Sequence, residues 1–482
     1  MLKSALDKRG CYSLNLQMVQ EIISFLSFEP TSDQHEAIVQ VVKLLEDKKR
    51  ERKVFLLKGY AGTGKTHLIS AIIKAFDQKK KRTILLAPTG RAAKVMASYA
   101  GKQAYTIHRF IFGMEADKEG VPRYFRKPNT FANTLFFVDE ASMLQDGAGG
   151  SILRDLVSYV FEQDHNVLFL IGDEGQLPPV GQEKSDALDA NYLMRHYSLD
   201  VEEFTLTEVV RQQEDSGILF NATLIRDAIN RKRTPVLNVK GFKDVYTMDH
   251  TKLEDGLRYA YDKYGVDNTL LICSANWQCL NYNRMIKTQI LYHEEFLEAS
   301  DRLMIVKNYY DPEGTGKDKD KLAFVANGDM AELRYLSNEQ EKYGLKFVEA
   351  GLRFPDYSET SEVEFKILVD VLYSKGPALE DDKSKELYRQ VVEHHQNAGH
   401  AGNIWLHVKT DPYLNALQVK HAYAVTCHKS QGGQWDAVFI DGSHLHKDDA
   451  SAQALRWLYT AVTRAVKEVF LINFPASFFP KL

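Results

Sequence analysis

Cysteine is scarce in this chain of 482 residues, which contains four of them. Cys11, Cys273, Cys279 and Cys427 are scattered and include no C-x-x-C pair. That spacing argues against a zinc ribbon or a disulfide framework and is typical of a reducing cytosol. Long apolar runs are also missing, since none approaches the ~18 residues that a membrane helix needs. The N-terminus lacks the charged-then-apolar pattern of a secretion signal. We therefore expect a cytoplasmic protein with no membrane partner and no structural zinc.

The chain also has no excess of positive charge. Lys and Arg number 61 against 65 Asp and Glu, a formal net charge of −4, so any surface for nucleic acid must be local. One region qualifies, because Lys79–Met114 contains eight Lys and Arg and no acidic residue. Arg91, Lys94 and Arg109 are candidates for phosphate contacts, whereas Lys79–Arg82 is equally explained as a solvated charge run.

The stretch Gly59–Thr66, GYAGTGKT, matches the pattern G-x-x-x-x-G-K-[ST] of a phosphate-binding loop. Its glycines let the backbone wrap so that successive N–H groups point at phosphate oxygens. The flanks agree, because Val54–Lys58 has the pattern of a buried strand and Thr66–Phe76 that of a helix whose positive N-terminus would face the anion. The pattern predicts a nucleoside-triphosphate site. Its candidate binding residues are Gly59, Ala61, Gly62, Thr63, Gly64, Lys65 and Thr66.

Two carboxylates follow a second predicted strand. Leu135–Val138 is apolar and leads directly into Asp139 and Glu140. At the ligand edge of a parallel sheet, Asp139 would hold Mg²⁺ with the Thr66 hydroxyl, and Glu140 would act as the base on the attacking water. Gln176, after a later strand, is a candidate contact to the γ-phosphate or to that water.

Two arginines are candidate neutralisers of phosphate charge. Arg211 lies in the segment LTEVVRQ and is a possible finger on the γ-phosphate. Arg464 ends the segment TAVTR and, if a second domain presents it, suits a γ-phosphate across a cleft. A surface arginine at a helix end explains Arg464 equally well when that residue is considered alone.

A glutamine near the N-terminus is a candidate for reading the base. The pattern predicts a helix over Gln34–Leu45 with Ser32 or Asp33 as its cap. The Gln34 amide has a donor and an acceptor that match the edge of adenine, although a solvated first-turn glutamine is the alternative.

The rest of the chain predicts further α/β structure. Residues 110–133 have the pattern of two short strands around a polar turn. Ala323–Tyr335 and Leu345–Phe354 alternate like strands of a small barrel. Glu362–Leu372 and Asp382–His395 have helical patterns, and Val419–Thr426 has the pattern of one strand.

The order of these motifs resembles that of the superfamily 1B helicases, the 5′-to-3′ branch, and within it the RecD-like and phage Dda-like group. The segments that carry the resemblance are GYAGTGKT, LLAPTGRAAK, YTIH, FFVDEAS, GDEGQLPPV, LTEVVRQ, CSANWQCLNYNR, AVTCHKSQGGQW and LYTAVTRA. They extend from about Phe28 to Ile472.

The resemblance implies an α/β fold with two RecA-like parallel-sheet domains, an inserted β-hairpin pin and an inserted SH3-like barrel subdomain. The implied boundaries are a helical preamble at 1–28, an ATP-binding domain at 29–109 and 134–210, the pin at 110–133, a second RecA-like domain at 211–306 and 415–482, and the barrel with a helical elaboration at 307–414.

The resemblance also implies roles for individual residues. Gln34 would read adenine, and the hydrolytic set would be Lys65, Thr66, Asp139, Glu140, Gln176, Arg211 and Arg464 with ATP and Mg²⁺. The DNA-binding residues that it implies are Pro88, Thr89, His108, Asn276, Thr426 and His428, and Arg91 is added to them as the phosphate contact expected from the local positive charge. The candidate strand-separating wedges are Phe112, Met114, Tyr124 and Phe125.

We therefore expect an ATP-dependent helicase, a monomer, that moves 5′-to-3′ on single-stranded DNA and opens 5′-tailed duplexes. Two alternatives stay open at this point. The protein could act on RNA, because contacts directed at the backbone distinguish the two only through the 2′-hydroxyl. It could also be an ATPase switch that clamps nucleic acid without separating strands.

Overall fold

Two parallel sheets and a closed barrel make up the computed structural model of the chain. The structure describes residues 15–116, 122–147, 151–209, 216–311, 322, 324–357, 362–398, 404–446 and 451–480, with the backbone alone for 114–116 and 122–124.

The elements of the first part of the chain have the following bounds: α1 Leu16–Ser24, α2 Ser32–Glu46, β1 Lys53–Gly59, α3 Lys65–Gln78, β2 Thr83–Ala87, α4 Gly90–Ala100, β3 Ala104–Thr106, α5 Ile107–Ile111, β4 Phe112–Ala116, β5 Pro122–Arg126, β6 Leu135–Val138, α6 Ile152–Val160, β7 Val167–Gly172, α7 Ala190–Tyr197 and β8 Asp200–Leu206.

The remaining elements are α8 Gly217–Arg231, β9 Val245–Met248, α9 Leu253–Tyr264, β10 Thr269–Cys273, α10 Asn276–Met285, β11 Arg302–Ile305, β12 Tyr309–Tyr310, β13 Phe324–Val325, β14 Met330–Lys342, β15 Leu345–Arg353, β16 Val363–Leu368, α11 Asp381–Asn397, α12 Ile404–Thr410, β17 Leu417–His421, β18 Ala424–Thr426, α13 Cys427–Ser430, β19 Trp435–Asp441, α14 Ala452–Val462 and β20 Ala465–Ile472.

The first sheet has the strand order β3-β2-β6-β7-β1-β8, and its strands pair in parallel. Successive residues of β1 alternate between two cores, with Phe55 and Leu57 in one and Val54 and Leu56 in the other. That alternation follows from the two-residue period of a strand and buries both faces of the sheet. The sheet and its helices are the first lobe, and the phosphate loop leaves it at the end of β1.

An antiparallel hairpin of β4 and β5 branches from the first lobe, with Phe112 opposite Arg126 and Gly113 opposite Phe125. The two strands expected within 110–133 are therefore present. The turn at 117–121 lies outside the described residues.

The second sheet has the strand order β18-β10-β19-β20-β9 and is also parallel. With its helices it forms the second lobe. The expected α/β fold with two parallel sheets is confirmed. In the part of the chain that the structure describes, no helix is both long and apolar enough to cross a membrane.

The closed barrel consists of β11, β14, β15, β16 and β17. Two of its strands, β11 and β17, lie outside the predicted insert at 307–414 and complete the closure. The barrel therefore occupies a longer stretch of sequence than expected, and its outer strands adjoin the second lobe directly.

Two expectations about this region are wrong. The predicted helix over Glu362–Leu372 is strand β16 followed by one 3-10 turn at Val369–Val371. The predicted single strand over Val419–Thr426 is two strands, because β17 closes the barrel and β18 joins the second sheet. The helix expected at Asp382–His395 is present as α11.

Candidate nucleotide and nucleic-acid site

The phosphate loop has the backbone geometry that its sequence predicts. Gly62 and Gly64 have φ of 80° and 77°, a conformation that favours glycine. The next helix, α3, begins at Lys65, so its N-terminus opens onto the loop. Lys65 Nζ donates to the carbonyl oxygens of Gly59 and Tyr60 at 2.6 and 2.9 Å. The lysine head is thus held over the loop whose phosphate it is expected to contact.

Gln34 lies fully buried beside that loop, so the solvated alternative is excluded. Its Nε2 donates to the Thr63 carbonyl at 3.0 Å, and its Oε1 accepts from the Thr31 N–H at 3.1 Å. The Thr31 Oγ1 in turn accepts from the Gln34 N–H at 3.3 Å, which completes a capping box at the start of α2. The predicted caps, Ser32 and Asp33, are wrong, because Thr31 is the N-cap. Asp33 instead accepts hydrogen bonds from the Thr207 and Glu208 backbones.

Asp139 and Glu140 directly follow β6, beside the end of β2. The Tyr99 hydroxyl donates to Asp139 Oδ2 at 2.7 Å, and the Glu140 N–H donates to Oδ1 at 2.8 Å. Burial, with the neighbouring Glu140 charge, raises the pKa of Asp139 to about 6. Glu140 itself has φ of +52°, which is unusual for a side chain of its size and directs the chain sharply after the strand.

Arg464 of the second lobe reaches the acidic pair of the first. Its Nη1 lies 3.6 Å from Glu140 Oε1, and the side chain is buried. The guanidinium also donates to the carbonyls of Thr460 and Gly433 at 3.1 and 3.2 Å, which fixes its orientation. The second predicted arginine, Arg211, lies outside the described residues.

Three tyrosine and acid positions near this site were missed from sequence. Tyr99 holds Asp139, and Tyr459 of α14 donates to Asp173 Oδ2 at 2.7 Å. Tyr459 Oη also accepts from the Ala61 N–H of the phosphate loop at 2.8 Å. Nothing local in the sequence marks these contacts, because each joins residues far apart in the chain.

Gln176 is buried, its N–H donates to the Asp173 carbonyl at 3.2 Å, and its Oε1 has no hydrogen-bond partner among the described residues. It lines a cavity of about 330 Å³ together with Asp173, Ser142 and Lys58. A buried amide oxygen without a partner is costly, so this side chain has acceptor capacity for a ligand or water.

A separate cleft of about 610 Å³ lies between the two lobes and the barrel. Five of the seven predicted DNA-binding residues line it, and they come from both lobes: Thr89, Arg91, Asn276, Thr426 and His428. Pro88 and His108 are not among its lining residues. The cleft thus brings together positions that the sequence separates by more than three hundred residues.

The cleft is only partly electropositive. Arg91 lies with its guanidinium 4.4 Å from the Trp435 ring and donates from Nη2 to the Gln434 carbonyl at 2.7 Å. Burial lowers the pKa of Lys429 to about 8 and lowers the pKa of His428. Lys429 therefore carries charge at neutral pH and remains available to a phosphate.

His108 lies at the root of the hairpin and contacts the barrel. Its ring is 5.7 Å from Phe112 and stacks on Phe324 at 5.6 Å. Burial lowers the pKa of His108, so the ring is neutral and acts as a packing surface. Phe112 and Phe125 are half-buried, and the side chains of Met114 and Tyr124 lie outside the described residues.

The donor set fits Mg²⁺. The Thr66 hydroxyl is exposed at the start of α3, and hydroxyl and carboxylate oxygens such as those of Thr66 and Asp139 are ligands that this ion prefers. In the described ranges, no group of three or more His, Cys, Asp or Glu side chains is arranged to hold a metal.

Two family models match the chain. Residues 30–241 match an AAA domain, which covers the first sheet. Residues 421–472 match a UvrD-like helicase C-terminal domain, which covers β18, β19 and β20.

The chain is similar to known helicases, and the share of each chain that is covered differs among them. It is 24% identical to the ATP-dependent DNA helicase dda of Enterobacteria phage T4, over 92% of this chain and 99% of that protein. It is 29% identical to the ATP-dependent RecD2 DNA helicase of Deinococcus radiodurans, over 35% of this chain but only 21% of that protein. Among solved structures, a Pif1 helicase from Bacteroides in complex with ADP-AlF3 and ssDNA aligns over 95% of each chain, with 16% identity and a TM-score of 0.46.

Proposed function

Since the chain belongs to the superfamily 1B helicases, in the RecD-like and phage Dda-like group, we propose that it moves 5′-to-3′ on single-stranded DNA and unwinds duplex DNA by ATP-driven closure of its two lobes. The observation that carries the proposal is the 3.6 Å approach of Arg464 to Glu140. It joins the second lobe to the carboxylate beside the phosphate loop, so the nucleotide would lie where the lobes meet.

Each residue of the ATP site has a proposed task. The loop amides and Lys65 bind the β- and γ-phosphates, and Gln34 recognises the base. Thr66 and Asp139 would hold Mg²⁺, which when bound neutralises phosphate charge. Glu140 accepts the proton of the attacking water, Gln176 orients that water, and Arg464 stabilises charge that develops on the transferred phosphoryl group.

The cleft is the proposed track for the strand. Thr89 belongs to the first lobe, where Arg91 beside it contacts the second lobe, while Asn276, Thr426 and His428 belong to the second. Because the two groups are on different lobes, a change in lobe spacing would shift one grip along the strand relative to the other. Stepping of this kind needs only backbone contacts, which are independent of base sequence.

The hairpin of β4 and β5 is the proposed pin. Phe112 is the favoured wedge, because it is partly exposed at the hairpin base and contacts His108, one of the expected DNA-binding residues. His108 in turn stacks on Phe324 of the barrel, so the barrel would support the pin.

Unwinding of 5′-tailed and 3′-tailed duplexes, with ATP hydrolysis measured in parallel, tests this function. We expect displacement from the 5′-tailed substrate only. Hydrolysis without displacement from either tail would favour an ATPase clamp, and stronger stimulation by single-stranded RNA than by DNA would favour an RNA-directed enzyme.

Variants of the ATP site sharpen the test. Glu140→Gln should retain ATP binding and lose about 100-fold or more in turnover, because the base is removed. Lys65→Ala should weaken ATP binding itself. Glu21→Gln is the matched control, since Glu21 is paired with Lys79 of the same lobe, away from the hairpin. Wild-type hydrolysis by Glu140→Gln would contradict the base assignment.

A further inference from the structure

We infer that Tyr459 is a positioning residue that links the phosphate loop to the second lobe, an inference that rests on the proposed ATP-driven function. Its hydroxyl lies between two groups of the first lobe, the Ala61 N–H at 2.8 Å and Asp173 Oδ2 at 2.7 Å. The tyrosine belongs to α14, the helix that leads to Arg464. One side chain therefore connects the nucleotide-binding backbone with the element that presents the arginine.

The direction of the two hydrogen bonds is fixed by chemistry. A tyrosine hydroxyl has a single proton, and a carboxylate can only accept. The proton is therefore committed to Asp173, and a lone pair faces the Ala61 N–H. Burial raises the pKa of Tyr459 well above its usual value, so the hydroxyl stays protonated and keeps this arrangement over the working pH range.

The surroundings leave the ring and the carboxylate little freedom. Tyr459 is 1% exposed and Asp173 is 2% exposed. The other carboxylate oxygen, Oδ1, accepts the Gly175 N–H at 2.9 Å. A Cβ on Gly175 would lie 2.9 Å from Tyr459 Cε1, so glycine is what allows the ring to approach. The hydroxyl position is thus set from both sides.

The same helix makes a second contact one residue later. Thr460 Oγ1 accepts the Leu177 N–H at 2.9 Å, directly after Gln176. Displacement of α14 would therefore disturb the phosphate loop, the loop of Gln176 and the position of Arg464 together. Loop amides are also the groups that hold phosphate, so the occupant of the loop and the placement of α14 are connected through the Ala61 N–H.

The consequence concerns turnover more than binding. Without the hydroxyl, the loop keeps Lys65 and its other amides, but α14 loses its fixed distance from the loop. Tyr459→Phe should therefore leave the KM for ATP within about 3-fold and lower the kcat stimulated by a mixed-sequence single-stranded oligonucleotide by about 10-fold or more, because small misplacements of a catalytic group are costly.

A matched control separates positioning from stability. Tyr423 is another tyrosine of 1% exposure, and its hydroxyl donates to Asp301 at 2.9 Å, away from the phosphate loop. Tyr423→Phe should lower the thermal midpoint by a similar amount and keep the stimulated kcat. Gly175→Ala, which pushes the ring but keeps the hydroxyl, should reproduce the loss seen in Tyr459→Phe.

The outcomes are distinguishable. If the wild-type protein shows no ATP hydrolysis that responds to single strands, the proposed function itself fails. If wild-type hydrolysis is stimulated and Tyr459→Phe is stimulated to the same extent, the role of Tyr459 is overturned. It is equally overturned if Tyr423→Phe loses stimulation as strongly as Tyr459→Phe does.

Discussion

At the scale of single residues, burial sets the chemistry of His421. This histidine ends β17 and is 5% exposed. Burial lowers its pKa to about 4, with Asp301 opposing the shift and Lys287 and His293 adding to it. Because an unfolded histidine titrates near ~6.5, the unfolded chain binds this proton more strongly. The stabilisation that comes from keeping His421 neutral is therefore fully present above pH ~6.5. It is lost as the pH falls from ~6.5 towards 4.

This shift predicts a measurable acid sensitivity. Between pH 7.5 and 5, His421 should remove about 2 kcal/mol from the free energy of unfolding. In urea titrations over the same pH interval, the free energy of unfolding of His421→Phe should fall by about 2 kcal/mol less than that of the wild type. His250→Phe, at an exposed histidine, should follow the wild-type profile. Parallel profiles for wild type and His421→Phe would show that burial of His421 does not control the acid limb.

At the scale of elements, α2 depends on its first residue. Thr31 and Gln34 form the reciprocal capping box, and the Gln34 amide continues to the phosphate loop. Thr31→Ala should cost about 1 kcal/mol in unfolding free energy. Ser32→Ala, one residue on, should cost less than about 0.5 kcal/mol, because Ser32 is already inside the helix. Equal losses from the two variants would contradict the assignment of the cap.

The elements also mark the limits of prediction from sequence. The phosphate loop, β6 with its two acids, and α11 were predicted because their signals are local. The β16 strand was predicted as a helix although Val363, Phe365 and Ile367 alternate with exposed or half-buried residues, a two-residue period that the apolar residues after it obscured. The cap of α2 was missed because three successive residues all have capping side chains.

At the scale of the whole molecule, the family resemblance implied that Arg464 reaches across the cleft, but the hydrogen bonds between the lobes were beyond prediction from sequence. Tyr459 and Asp173 are 286 residues apart in sequence, and no periodicity reports such a pair. The residues that line the cleft were easier to predict, since family resemblance alone suggested Thr89, Asn276 and Thr426. The closure of the barrel could not be predicted, because β11 and β17 are short and each borders an element of the second lobe.

The placement of Arg91 yields a prediction about binding. Its guanidinium is occupied by Trp435 and the Gln434 carbonyl of the other lobe, so we expect it to hold the lobes together more than it binds phosphate. Arg91→Ala should weaken single-strand binding while leaving the slope of log affinity against log salt unchanged. Lys429→Ala, which removes a charge lining the cleft, should reduce that slope by about 0.7.

Titrations at several salt concentrations, at pH 7, measure both slopes. A slope lowered equally by the two variants would assign Arg91 to phosphate after all.

The barrel closure has a mechanical consequence. Only Ala422 and Tyr423 separate β17 from β18, and Arg302 of β11 donates to the carbonyls of Val266, in the turn before β10, and Thr269, the first residue of β10. These connections fix the barrel to the second sheet. Its contacts with α4 and α5 are made through side chains: Lys94 donates to the Pro355 carbonyl, and the Arg109 guanidinium lies over the Tyr357 ring. If the second sheet rotates relative to the first lobe, the barrel should rotate with it as one body. The barrel residues farthest from the second sheet should then move the largest distance.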